Sequence, residues 1–129
     1  MITMTSKDNI QGLGHDLIEI ERIQQVLDRH KERFIERILT PNEQSEYRKR
    51  AHPITYLAGR FAAKEAVAKA LGCGIGKELS WQEIEILSDN LGKPQVFLSK
   101  ENIHFFVSIS HTRFYASAVV IATRSQSHK

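Results

Sequence analysis

Asp16, Glu65 and Lys69 are the residues whose types and spacing could do chemistry. Glu65 and Lys69 stand four positions apart in an apolar run, so on a helix they share a face with Phe61 and Ala62. Charges there are costly unless they are paired, solvated at a cleft or bound to a metal. A plain Glu–Lys helix pair, worth about 0.2–0.5 kcal/mol, accounts for these two better than an active site does. Asp16 tilts the balance, because it stands inside a short glycine-flanked apolar stretch, Gly12 to Ile18. If that stretch is a strand beside the helix, two hard oxygen ligands converge. Mg²⁺ is commonly held by one or two carboxylates, with substrate phosphates and water completing its shell. Lys69, one turn beyond Glu65, would then stabilise charge on a phosphate leaving group.

Other candidates carry less. Ser110-His111 invites a nucleophile–base reading, but neighbours on a strand point to opposite faces and no GxSxG elbow surrounds the serine. His15 reads as a core histidine before it reads as a metal ligand. The stretch Gly72-Cys73-Gly74-Ile75-Gly76 does not match GxxxxGK[ST], which disfavours a P-loop nucleotide hydrolase.

The elements that must position these residues follow from periodicity. A strand is expected over Gly12 to Ile18. From Glu19 the pattern turns helical, with Ile20, Ile23 and Leu27 on one face, and a second short helix is expected at Arg33 to Leu39. Thr40-Pro41-Asn42-Glu43 is a helix start, with threonine as N-cap, proline at N1 and glutamate three residues after the cap; that helix should run to about Arg50. Ile54 to Leu71 is apolar nearly all round, as a helix buried by several neighbours is. Its glycine-rich end supplies a C-cap and lets backbone approach a ligand. The second half reads as strands: Trp81 to Ile86, Gln95 to Leu98 after the turn Asp89 to Pro94, then Phe105 to Ile109, and Tyr115 to Thr123. One α+β domain over residues 12–123 is predicted, its helices packed on a mostly antiparallel sheet. Residues 1–11 are expected to be a flexible segment and 124–129 a frayed polar tail.

At 129 residues with 41% hydrophobic and 26% charged residues, the chain suits one soluble domain. No apolar run approaches a membrane span. A single cysteine, Cys73, cannot form an internal disulfide and fits a reducing cytoplasm. Net charge is a mild +3, but Arg22 to Arg50 contains eight lysines and arginines. Such a patch could face nucleic acid, an acidic protein, or only water.

Several segments together resemble a known family. Gly12-Leu13-Gly14-His15-Asp16-Leu17-Ile18-Glu19 through Ile23 is similar to the amino-terminal motif of bacterial holo-acyl-carrier-protein synthases, the short phosphopantetheinyl transferases. Leu57-Ala58-Gly59-Arg60-Phe61-Ala62-Ala63-Lys64-Glu65-Ala66, continuing through Lys69 to Gly72, resembles the family's signature helix. Trp81 to Ile86, Gly92-Lys93-Pro94 and Val107 to Thr112 follow in the family's order. The resemblance implies that Asp16 and Glu65 hold Mg²⁺, which binds the pyrophosphate of coenzyme A. A serine of the acyl carrier protein would attack the β-phosphorus and release 3',5'-adenosine diphosphate, activating the carrier for fatty acid biosynthesis. Lys69 would handle a proton or the leaving-group charge, and the base would be Glu65 or a metal-bound water. Arg60, Gly72, Cys73, Gly74, His111 and Thr112 would contact coenzyme A, and Arg22 would meet the acidic helix of the carrier. The resemblance also implies a homotrimer with active sites between subunits, and neither nucleic acid nor membrane as partner. His15, where the family is usually aliphatic, and Cys73, where it commonly has threonine, depart from the pattern. The rival readings are a basic module that docks an acidic protein or nucleic acid, and a Mg²⁺-dependent nucleotide phosphohydrolase.

Overall fold

The computed structural model describes residues 8–76, 78–99 and 102–125. Its elements are, in chain order, β1 (Asp8–Glu19), α1 (Ile20–His30), α2 (Glu32–Ile38), α3 (Pro41–Arg48), α4 (Pro53–Ala70), a 3₁₀ turn at Trp81–Glu83, β2 (Ile84–Ser88), β3 (Pro94–Leu98), β4 (Ile103–His111) and β5 (Tyr115–Ser125). The strands form a three-stranded sheet in the order β1-β5-β4 and a separate β2-β3 hairpin, every pairing antiparallel. The expected α+β architecture is therefore present, with two sheets in place of one.

Helix α4 is the centre of the molecule. Its alanines at 58, 62, 63, 66, 68 and 70 are all buried. They surround the helix with small side chains, and the inner face of β5 is mostly small too, with Ala116, Ala118 and Ala122 beside Val120. Closest of all is β1. A Cβ on Gly12 would stand 1.8 Å from the carbonyl oxygen of Ala70, and one on Gly14 would stand 1.8 Å from that of Ala66. Only glycine lets the strand lie directly on the helix backbone. One apolar cluster fills the space between α4 and the sheet; a second joins α1, α2 and the first half of α4 around Ile23, Ile35, Ile38 and Leu57.

Differences from expectation are local. β1 begins at Asp8, so the last four residues of the expected flexible segment belong to a strand, and β5 runs on through Arg124 and Ser125. Residues 1–7 and 126–129 lie outside the described residues. Trp81, Gln82 and Glu83 are not in β2, because the Ser80 N–H donates to Glu83 Oε1 at 2.8 Å and winds residues 81–83 into a turn. The capping box at Thr40 is as predicted: the Glu43 N–H donates to Thr40 Oγ1 and the Thr40 N–H to Glu43 Oε1.

Helix α3 fastens the hairpin to α4. Glu43 and Glu46, three positions apart, each hold one cation of α4 and one amide of β2. Glu43 takes Lys64 at 2.6 Å and the Ile86 N–H at 2.6 Å. Glu46 takes Arg60 at 3.2 Å and the Ser88 N–H at 3.0 Å. The outer face of the three-stranded sheet is left apolar, with Leu13, Leu17, Phe106 and Val119 exposed. No helix of the described residues is long and apolar enough to cross a membrane.

Candidate active site

Asp16 follows Gly12 and Gly14 at the strand period of two, so its side chain emerges on the face of β1 that lies against α4. The glycines bring the strand close, and the next inward position delivers a carboxylate to the flank of the helix. Lys69 meets it there: its Nζ donates to Asp16 Oδ1 at 3.0 Å and to the His15 carbonyl at 3.1 Å. The lysine therefore bonds across to the strand. Glu65, one turn earlier, is half-buried. Burial raises its pKa first, the negative charge of Asp16 raises it further, and Lys69 opposes both. Two carboxylates thus lie close enough for their charges to interact, and the half-exposed ammonium of Lys69 is paired with one of them.

The donor set suits a hard divalent cation. Among the described residues no group of three or more His, Cys, Asp or Glu side chains could hold a metal, which argues against a zinc-type centre. Two carboxylates are a donor set that Mg²⁺ commonly takes, since substrate phosphate and water complete its shell. A pH dependence follows. Glu65 has its folded pKa raised above the ordinary 4.5, so its stabilising contribution is complete below that value and is lost as pH rises through the raised one. A cation bound to the pair relieves this loss. The increase in Tm on adding Mg²⁺ should therefore be small at the acid end and grow with pH, and Glu65→Gln should remove the growth. A Tm increase independent of pH in both proteins would contradict it.

His15 is not part of this group. It is one position from Asp16 on a strand, so its ring lies on the exposed outer face, opposite Val119 of β5. The expectation of a core histidine is thereby corrected, because strand alternation turns the ring at position 15 away from α4 and into the open.

The residues expected to contact coenzyme A fall in two places. Gly72, Cys73 and Gly74 close α4 in a Schellman motif: the Gly72 N–H donates to Lys69 O and the Cys73 N–H to Ala68 O, both at 3.0 Å, with Gly72 at φ +76°. Cys73 packs against the core, while Gly72 and Gly74 are exposed beside the carboxylates' end of the helix. Arg60 and His111 instead line a groove of about 430 Å³ at the other half of α4, with Arg50, His52, Ser88 and Pro94. Arg60 is buried there. Its Nε donates to the Ile86 carbonyl, its Nη2 to Glu46 and Ser88, and its guanidinium stacks on Tyr56. Thr112 uses its hydroxyl to accept the Phe114 and Tyr115 N–H groups in the β4–β5 turn. Arg50, His52 and Ser88 were not expected from sequence, because nothing in their spacing ties three separate segments to one groove.

Arg22 is exposed on α1, one turn before Val26 on the same face. Val26 lines a second groove, of about 740 Å³, with Phe61 as its floor, Phe34, Ile38 and Trp81 as apolar walls, and His30, Arg33, Glu36 and Arg37 around them. Sequence showed the basic charge of this half; the apolar lining is built by α1, α2, α4 and the 3₁₀ turn together and has no linear signature.

The chain was compared with known proteins. Residues 12–123 match the family model described as "ACPS: 4'-phosphopantetheinyl transferase superfamily". A holo-[acyl-carrier-protein] synthase of Geobacillus kaustophilus is 50% identical over 117 residues, which span 89% of this chain and 90% of that protein. The crystal structure of a holo-(acyl-carrier-protein) synthase from Bacillus anthracis in complex with CoA (3',5'-ADP) superposes with a TM-score of 0.82 at 44% identity, covering 90% of this chain and 98% of that one. The Helicobacter pylori enzyme in complex with coenzyme A gives 0.78 at 40% identity, covering 85% and 98%. The match takes in β1 with Asp16, the whole of α4 and the three-stranded sheet, and the chain belongs to the holo-[acyl-carrier-protein] synthases of the 4'-phosphopantetheinyl transferase superfamily.

Proposed function

We propose that this chain transfers the 4'-phosphopantetheine arm of coenzyme A to a serine of an apo acyl carrier protein and releases 3',5'-adenosine diphosphate. The observation that carries the reading is the meeting of Asp16, Glu65 and Lys69 where β1 crosses α4, in a chain whose relatives are named for that reaction. Asp16 and Glu65 would hold Mg²⁺, which when bound neutralises the pyrophosphate of coenzyme A and the departing phosphate. Lys69, tethered to Asp16 and the His15 carbonyl, holds an ammonium where that leaving charge develops. The serine proton would pass to Glu65 or to a water held by the bound cation, both of which lie at the same end of α4. The exposed Gly72 and Gly74 leave room for the pantetheine phosphate beside Lys69, and the Arg60–His111 groove suits the nucleotide end.

Those two half-sites lie on different halves of α4 within one chain. The apolar outer face of the sheet offers a surface for further copies. Both features support a homotrimer in which one copy supplies the carboxylates and a neighbour the nucleotide groove. The free thiol of Cys73 suits a reducing cytoplasm.

The carrier docks on α1, by this reading. Arg22 and the rim arginines face an acidic helix, and the apolar floor receives a side chain from it. Because β1 runs directly into α1 at Ile20, a partner held there is brought near Asp16. Arg22→Ala should raise KM for the carrier about tenfold at low salt with kcat little changed, and the effect should shrink as salt screens it. An unchanged carrier KM would take Arg22 off the docking surface.

Release of 3',5'-adenosine diphosphate tests the function. It should require Mg²⁺ and apo carrier protein together. Release from coenzyme A at the same rate without a carrier would instead make the chain a nucleotide phosphohydrolase.

A further inference from the structure

Lys64 is a buried cation that the transfer reaction does not use. Its side chain and that of Glu43 are both 0% exposed. Its Nζ donates to Glu43 Oε1 at 2.6 Å, to the Ile38 carbonyl at 2.7 Å and to the Trp81 carbonyl at 3.0 Å, which engages all three of its donors. Burial pulls the ammonium below its ordinary pKa, and Glu43 pulls it back. An apolar pair of similar volume could fill this space without desolvating two charges, so stability alone does not call for a cation here.

What Lys64 ties together is more telling. Ile38 ends α2, Trp81 opens the 3₁₀ turn, and both are walls of the groove beside α1. Phe61, one turn before Lys64 on α4, forms the floor between them. Its ring lies 4.9 Å from that of Trp81 and 6.4 Å from that of Phe34. Each wall hangs on a backbone carbonyl held by the same nitrogen. Three donors at fixed angles set the separation of two walls, which an apolar side chain cannot do, because dispersion contacts have no direction.

We propose that Lys64 is a positioning residue, fixing the Ile38 and Trp81 walls of the α1–α2 groove at the spacing that admits an apolar side chain from the carrier's acidic helix. This rests on the reading above that the groove receives the carrier. Specificity for the carrier would then depend on a residue the carrier never touches.

Lys64→Met and the neutral double variant Lys64→Met/Glu43→Gln test it, with carrier and coenzyme A varied separately. Trp81 is the only tryptophan, so quenching of its fluorescence by acrylamide reads the wall directly. The expected result is a carrier KM raised about tenfold with the coenzyme A KM within about twofold, and Trp81 quenched more readily. The double variant carries the measurement if the single one does not fold. A folded variant with unchanged carrier KM and unchanged quenching overturns the proposal. So does a parallel rise in both KM values, or failure of both variants to fold, since Lys64 would then serve the fold as a whole. Arg33→Ala on the groove rim is measured alongside. If it too leaves carrier KM unchanged, the groove is not the docking site; if it raises KM while the Lys64 variants do not, only the positioning role fails.

Discussion

Replacing Asp16 with asparagine is expected to slow transfer by about 10²–10³-fold while leaving the fold intact. The two halves of that result have separate causes. Catalysis loses a hard anionic ligand and the anchor that holds Lys69 at 3.0 Å. Stability loses only an ion pair whose lysine is half exposed, of a kind worth about 0–1 kcal/mol. Against that loss, Glu65 is relieved of the negative charge that raises its pKa. Thermal unfolding without Mg²⁺ should therefore place Asp16→Asn within about 1 kcal/mol of the parent. A variant that lost activity only because it unfolded would show that Asp16 is structural, and one that kept near-normal turnover at limiting Mg²⁺ would remove it from the site.

Gly14→Ala is expected to have the opposite profile, costing about 3–5 kcal/mol of stability or preventing folding. The new methyl would sit 1.8 Å from the Ala66 carbonyl oxygen and 2.8 Å from the Ala70 nitrogen. Both are backbone atoms of the last turns of the buried helix α4, so no side chain can swing away. Either β1 or α4 must move, and the distance between Asp16 and Glu65 moves with it. Gly74→Ala is the control, because nothing stands within 4 Å of the position its Cβ would take. Denaturant titration of the two variants compares them. Equal midpoints would contradict the close contact of strand and helix on which the site depends.

That contact also explains how much the sequence could reveal. The glycines at 12 and 14, the carboxylate two residues on, and the Glu65–Lys69 spacing on an all-round apolar helix were legible because each is a local pattern with a fixed period. Local patterns likewise gave α3, whose capping box is written in Thr40-Pro41-Asn42-Glu43. The choice between a helix ion pair and a strand–helix pair was not legible, since it depends on which element lies beside α4. Lys69 bonds to Asp16, and only the packing of β1 on Ala66 and Ala70 could say so. Arg60 reads from sequence as a ligand of coenzyme A, yet three of its hydrogen bonds go to Ile86, Glu46 and Ser88 of its own chain. Lys64 has no role in the sequence reading beyond its place in the signature helix, and it is the most deeply buried cation among the described residues. Both cases turn on partners 14 to 28 residues distant in the chain, which no periodicity encodes.

The most direct measurement is the intact mass of an apo acyl carrier protein after incubation with this chain, coenzyme A and Mg²⁺. One phosphopantetheine arm should be added per carrier, on serine, and no adduct should form with Asp16→Asn over the same interval. A competent carrier that gains no mass, or one modified equally by the parent and by Asp16→Asn, would contradict a transferase centred on Asp16 and Glu65.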